Sequence, residues 1–414
     1  MASHAGAARF AYNAGLAHVK EAIGGGEPSE WSHYSLRRWW NANKDELAVN
    51  QATGEVWWDQ NSKEAYSGAL RDLARGFSNW SKSRNGQRKG KRVGFPKFKS
   101  KNGAMRFAYS TGFIAPTASD PYGLKLPRIG RLHCMENVHE RISGARLIRI
   151  TVSRRAGCWY ASLTVERESA MPVTPPKLGA VGVDLGVKNL ATLSDGTVIP
   201  NPRALSSKLR TLRKAQKALS RKVKGSARRE KAKERVARLH ARVADVRADA
   251  INKATTMIAT TYSVVCIEDL HVAGMVKNHS LARSVSDAAL GEFRRQLEHK
   301  TARSGAVLRV VDRWFPSSKT CSNCGTVKAK LSLSERTFNC DACGLSIDRD
   351  VNAAINIKVA GSAPETLNAR GEDIRRTDTM LGDADLGEAR TKRARKSAVR
   401  LGAGLGNEAM QFRR

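Results

Sequence analysis

The chain has no run approaching the about 20 consecutive apolar residues that a membrane-spanning helix requires. Its first thirty residues carry no basic stretch followed by an apolar one, so the sequence predicts a cytoplasmic protein with no membrane partner. Disulfides are not expected either. Of seven cysteines, four sit in two Cys-x-x-Cys pairs, a metal-binding usage and not a secreted framework. Cys134, Cys158 and Cys266 are scattered through apolar, strand-like surroundings and are expected to be buried thiols. Acids are also scarce: 38 Asp and Glu face 72 Lys and Arg, leaving +34 on 414 residues. Solubility does not need so large an excess, and a polyanionic partner is the natural reading.

Apolar residues, at 41%, suffice for real cores in two or three domains. Apolar spacing predicts helices around Arg9–Ala17 and Ala65–Ala74. Between them Trp39, Trp40, Trp57 and Trp58 are expected to be core aromatics, with a stacking surface as the alternative. Ser81 to Lys101 holds nine Lys or Arg and no acid, and its Gly and Pro punctuation marks a basic loop. Lys89, Lys91, Arg92, Lys97, Lys99 and Lys101 are its candidate phosphate contacts. Residues 1–103 therefore read as a helical region with a basic loop, and 104–170 as strands of a small sheet or barrel, clearest at 147–152 and 158–165.

Residues 171–176 read as a linker. Two strands follow, at 180–186 and 190–194, and then a helical hairpin. Its seams are Leu205, Leu209, Leu212, Leu219 and Val223, and Val236, Leu239, Val243 and Val246, with the turn at 224–226. From Asn201 to Ala250 there are 17 Lys or Arg against 4 acids, so the hairpin is a basic comb. Arg210, Lys214, Arg221 and Lys222 are its candidate nucleic-acid contacts. Strands at 263–268 and 306–312 flank a helix around 288–303, which indicates an α/β or α+β core. Residues 361–414 turn polar and charge-mixed and read as a disordered tail.

Two patterns carry chemistry. Cys321-x-x-Cys324, fifteen residues, then Cys340-x-x-Cys343 can bring four thiolates to one Zn²⁺, with Gly325 and Gly344 suited to the knuckle turns. Such a site is structural, because it leaves no open position for water. Separately, Asp184 lies within a strand, Glu268 ends another, and Asp350 opens a helix, with Asp348 two residues before it. A carboxylate buried unpaired in an apolar strand is costly, and metal coordination would remove that cost. Two Mg²⁺ ions held about 4 Å apart by shared carboxylates would suit phosphodiester hydrolysis. Residue by residue, an acid that caps a turn or a helix remains an equal alternative.

The sequence resembles the TnpB nucleases encoded by transposons and their relatives among compact type V CRISPR effectors. The resemblance rests on Gly182-Val183-Asp184-Leu185-Gly186-Val187-Lys188 and on Ile267-Glu268-Asp269-Leu270-His271-Val272-Ala273-Gly274-Met275. It continues through Pro316–Cys343 into Asp348-Arg349-Asp350-Val351-Asn352-Ala353-Ala354, and more loosely through Arg9–Asn13 and Phe95–Ser100. It implies a multidomain α+β or α/β protein with an N-terminal helical and β-barrel, wedge-like region over 1–103 and 104–170. An RNase H-like, RuvC-type nuclease domain over 178–358 would follow, holding the inserted hairpin and the zinc knuckle at 316–347. It further implies an Mg²⁺-binding catalytic triad of Asp184, Glu268 and Asp350, with Asp348 ranked second for the third place. The implied partners are a guide RNA and target double-stranded DNA, and the implied activity is RNA-guided DNA cleavage. An RNA-guided binder that does not cut, or a CRISPR effector with the same chemistry, are the alternatives. One departure is that Met1–Ala5 leads almost directly into the Arg9–Asn13 helix where the family usually opens with a strand; a truncated start or a barrel completed otherwise is expected.

Overall fold

The computed structural model describes residues 1–26, 30–167, 178–332, 334–362 and 408–412, and the chain forms two compact units. Among the described residues no helix is long and apolar enough to cross a membrane.

The first unit opens with α1 (Ala2–Gly24), α2 (His33–Leu47) and α3 (Lys63–Arg84). The hydroxyls of Ser32 and Ser62 accept from the first-turn amides of Ser35 and Glu64, capping α2 and α3. Helical spacing then buries Leu16 and Val19 of α1 with Leu36 and Trp40 of α2 and Leu70, Leu73 and Phe77 of α3. Trp40 is fully inside, while Trp39, Trp57 and Trp58 pack half-buried against the same core. The strands are β1 (Arg106–Tyr109), β2 (Gly123–Leu126), β3 (Gly130–His133), β4 (Arg146–Arg155) and β5 (Cys158–Glu166), with a one-turn helix, α4 (Val138–Arg141), before β4. β2 and β3 form a separate hairpin, whereas β1, β4 and β5 run antiparallel in one open sheet.

A strand late in the chain, Glu408–Phe412, pairs antiparallel with the free edge of β5, from Glu408 opposite Leu163 to Phe412 opposite Trp159. The expectation of a disordered tail over 361–414 is corrected at both ends: a helix runs through Ser362, and 408–412 is a strand because β5 offers an unpaired edge. The intervening tail residues and the expected linker at 171–176 lie outside the described residues. Cys134 and Cys266 are buried as expected, but Cys158, at the first position of β5, is only half-buried.

The second unit is built on a five-stranded sheet of β6 (Leu178–Leu185), β7 (Asn189–Leu193), β8 (Val198–Pro200), β9 (Tyr262–Glu268) and β10 (Val307–Val311), in the order β10-β9-β6-β7-β8. β6, β9 and β10 are mutually parallel, and β7 and β8 run antiparallel to their neighbours. Strand alternation sorts the two faces. Val181, Val183, Val265 and Ile267 pack with Ile251, Ile258, Phe293 and Leu297 from α6 (Ala227–Thr261) and α9 (Leu290–Ser304). The opposite face carries Gly182, Asp184, Cys266 and Glu268, and receives α10 (Arg349–Ser362).

The hairpin consists of α5 (Ala204–Ser220) and α6. Its turn begins at Arg221, three residues earlier than the apolar spacing predicts, and leaves Val223 77% exposed instead of in the seam. Two short helices, α7 (Val272–Met275) and α8 (Ala282–Ala288), follow β9. The buried Asp287 carboxylate on α8 accepts from the amides of Leu205 and Ser206 and pairs with Arg247 of α6 at 2.9 Å. It thereby caps α5 from a distance and fixes the hairpin at its base. A separate two-stranded sheet pairs β11 (Thr337–Asn339) with β12 (Ser346–Asp348).

Candidate active site and metal centre

β6 and β9 pair in parallel with Val183 opposite Ile267, so the next residues, Asp184 and Glu268, stand side by side at the carboxyl ends of adjacent strands. Both project to the α10 face, and α10 begins with Arg349 and Asp350. Burial, then the negative charges of Glu268 and Asp350, push the Asp184 carboxyl up to about 7, with Arg349 acting the other way. Burial raises Glu268 as well, against a hydrogen bond that the Ser317 hydroxyl donates to its Oε1. Asp184 and Glu268 are thus neighbouring carboxylates that repel, an all-oxygen donor set that could hold a hard cation.

Asp348 and Asp350 have different surroundings. The Asp348 carboxylate accepts from the backbone amides of Asp350 (2.9 Å) and Val351 (3.1 Å), the work of a helix cap. Asp350 lies in the first turn with its side chain 18% exposed and Arg349 Nε at 3.7 Å. Beside Glu268, Asp269 turns away and accepts from Arg294 of α9 at 2.5 Å and from Arg313 after β10. It anchors the end of β9 to two neighbouring elements.

The four cysteines converge. Their sulfurs all lie within 4.8 Å of one another, the one such cluster of three or more ligating side chains among the described residues. Cys321 and Cys343 Sγ are 3.6 Å apart, Cys324 and Cys340 Sγ 3.5 Å. Those separations are far from the about 2.05 Å of a disulfide. They are close to the about 3.8 Å edge of a tetrahedron with Zn–S bonds of about 2.3 Å. Each pair is held by the same turn: Cys321 N donates to Thr326 O and Gly325 N to Cys321 O, while Cys340 N donates to Leu345 O and Gly344 N to Cys340 O. Gly325 and Gly344 take φ of 75° and 73°, where a side chain would be strained. Hydrogen bonding by Thr326 holds the Cys324 thiol down to about 6, which favours the thiolate a metal binds.

Two buried asparagines tie this knuckle to the carboxylates. Asn352 and Asn356 sit one turn apart on α10. Asn352 Nδ2 donates to Thr320 O (2.7 Å) and its Oδ1 accepts from Ser322 N (2.9 Å). Asn356 Nδ2 donates to Thr320 O (2.7 Å) and Ser317 O (2.8 Å). The path from cysteines to Glu268 therefore runs through Thr320, Asn356 and Ser317. Sequence reading alone does not single out Ser317, Asn352, Asn356 or Asp269. The available signal is an amide recurring every fourth residue inside the apolar run Val351–Ile357, since a buried amide must find partners.

Of the basic candidates, Lys89, Lys91, Arg92, Lys97 and Lys101 are exposed in the first unit, and Arg210, Lys214, Arg221 and Lys222 are exposed on α5 and the turn after it. Lys99 differs. Asn13 grips its backbone at two points, accepting from Lys99 N at 2.8 Å and donating to Lys99 O at 3.0 Å. Its ammonium lies 3.6 Å from the centre of the Tyr12 ring, a cation–π contact that draws it inward.

Residues 162–279 match a family described as a probable transposase, the OrfB group of IS605, and residues 291–357 match the TNB domain of Cas12f1-like proteins. A Mycobacterium tuberculosis protein named "Putative RNA-guided DNA endonuclease" is 38% identical over 419 residues, covering 95% of this chain and 90% of its own. A protein of the same designation, InsQ of Escherichia coli K12, is 32% identical over 379 residues, covering 88% and 89%. A solved Cas12f1–sgRNA–target DNA complex is similar with a TM-score of 0.49 at 17% identity, covering 85% of this chain and 80% of that one.

Proposed function

Since this chain belongs to the TnpB family, we propose that it is an RNA-guided DNA endonuclease of an insertion-sequence element, directed by a guide RNA to double-stranded target DNA. The observation that carries the nuclease reading is the placement of Asp184 and Glu268 on adjacent parallel strands, under the helix that begins with Asp350. The strand order β10-β9-β6-β7-β8, with parallel and antiparallel members, supports an RNase H-like, RuvC-type domain.

Asp184, Glu268 and Asp350 are the residues that would hold Mg²⁺; the charge each imposes on Asp184, and the oxygen-only donor set, fit a hard divalent ion. When bound, two Mg²⁺ ions supply an activated water and neutralise charge on the leaving oxygen of the phosphodiester. The chain's own part is to hold the carboxylates in register. β6–β9 pairing fixes Asp184 against Glu268, the Ser317 hydroxyl orients one oxygen of Glu268, and Asp348 caps α10 so that Asp350 enters from its first turn. That capping role leaves Asp350 the better third ligand. Zn²⁺ at Cys321, Cys324, Cys340 and Cys343 is structural, and the basic loop and hairpin contact nucleic-acid phosphates.

The deciding experiment is a cut-versus-bind assay with the protein, its guide RNA and a matched target in Mg²⁺. Guide-dependent scission is expected. Guide-dependent binding without scission would instead favour a targeting protein that does not cut.

Zinc removal has a defined expectation. Chelation, or Cys321→Ser, releases the knuckle between residues 316 and 347, and with it the Thr320 and Ser317 carbonyls that hold Asn356. Cleavage should fall by about 10–100-fold, the usual effect of loosening groups that orient metal ligands. Limited proteolysis should then cut first within 316–347. A zinc-free protein with full activity would show that the knuckle does not support the carboxylates.

A further inference from the structure

The first unit contains a cluster of cations that outnumber the carboxylate they share. Asp72 on α3 receives Arg75 at 2.6 Å, Arg149 of β4 at 3.6 Å and Arg106 of β1 at 3.7 Å. One carboxylate thus faces three guanidinium groups. Arg71, the residue before it, donates to Ser110 Oγ at 2.6 Å and adds a fourth positive charge. Arg149 is the innermost, its side chain 19% exposed, and its Nε is the one buried side-chain nitrogen or oxygen without a hydrogen-bond partner among the described residues. A β-bulge between Leu147 and Arg149 interrupts the alternation of β4 at this point, a device that re-aims a side chain. Arg71 and Arg75 also line an open cleft of about 830 Å³, together with Trp31, Ser32, His33 and the carboxylate of Glu30.

An unpaired buried N–H on a charged group is costly, and like charges gathered round one carboxylate repel one another. An anion with several acceptor oxygens removes both costs, and the planar guanidinium fork matches phosphate oxygens better than it matches any other common anion except carboxylate. We propose that Arg71, Arg75, Arg106 and Arg149, poised by Asp72, form a binding site for a nucleic-acid backbone phosphate. Asp72 holds the guanidinium groups together in the free protein and is displaced from part of its contacts when the phosphate arrives. The same chemistry is offered by a guide RNA and by a DNA strand. The site rests on the reading that this protein binds nucleic acid, and not on its cutting it.

The test uses the full chain and the double variant Arg75→Gln/Arg106→Gln. These side chains are 61% and 48% exposed, so folding is expected to survive. Inorganic phosphate, titrated against chloride at constant ionic strength without nucleic acid, should raise the melting temperature of the wild type, but much less that of the Arg75/Arg106 variant. Binding of guide RNA alone and of duplex DNA alone is then measured against salt. The variant should lose about 0.7 per phosphate contact from the slope on single-stranded RNA, or about 0.9 on duplex DNA. The arm in which the slope falls identifies the strand. Equal phosphate stabilisation together with unchanged slopes in both arms overturns the site. A normal outcome in these binding arms, in a protein that never cuts, refutes the nuclease reading and leaves the site standing.

Discussion

Asp184→Asn should abolish DNA cleavage and at the same time make the metal-free protein more stable at alkaline pH. Losing a ligand forfeits several kcal/mol of charge stabilisation in the transition state, a fall of about a thousandfold or more. The gain in stability follows from the raised carboxyl. Asp184 titrates at about 7 in the folded chain, against about 3.9 when unfolded. Between those pH values the folded chain binds more protons than the unfolded one, so its stability declines as pH rises and the penalty is complete above pH 7. The full shift corresponds to about 4 kcal/mol, and the partial exposure of Asp184 reduces this to about 2–3 kcal/mol. Asparagine keeps the shape without the charge. The variant should therefore melt several degrees above the wild type at pH 8 and at the same temperature at pH 4, and Mg²⁺ should stabilise the wild type alone. Retained cleavage, or equal melting at pH 8, would remove Asp184 from the metal site.

Gly182→Ala should be nearly as damaging, though it removes no chemical group. A Cβ at Gly182 would stand 1.9 Å from the Ala354 carbonyl oxygen and 2.5 Å from Lys358 N, both backbone atoms of α10. Backbone inside a helix cannot rotate aside, so the helix must withdraw from β6 by about an ångström. Asp350 travels with it while Asp184, two residues from the substitution on the same face, stays with the strand. A displacement of about 1 Å costs about a hundredfold in rate, and overpacking costs about 1–3 kcal/mol of stability. Gly179→Ala, on the same strand with nothing within 4 Å of its Cβ, is the control and should change neither quantity. An active, fully stable Gly182→Ala would mean that α10 does not gauge the distance between the carboxylates.

The sequence reveals most about what repeats locally. The cysteine pairs carry their turns within six residues, and Asp184, Glu268 and Asp350 are conspicuous because each borders an apolar run. What depends on distant partners is not legible. Ser317 meets Glu268 across 49 residues, and nothing around either residue announces the other. Helix α6 runs on to Thr261 because its apolar side changes customer: Val243 is buried in the hairpin, whereas Ile251 and Ile258 meet the sheet. Lys99 reads as one more charge in a basic run until Tyr12 and Asn13, the latter 86 residues before it, are placed against it. The strand at 408–412 is supplied by the open edge of β5, which no feature of the late sequence predicts.

Helix α10 covers the sheet face that bears the candidate ligands, and among the described residues it is the last helix of its unit. On the ribosome, the β6–β9 pairing can form once residue 268 has emerged, but the face holding Asp184 and Glu268 stays bare until about eighty more residues have been added. A nascent chain thus holds no assembled carboxylate cluster until α10 has been made, and its exposed sheet face is the place where a stalled chain would aggregate. Translation itself thus acts as a timer on the assembly of the carboxylate cluster.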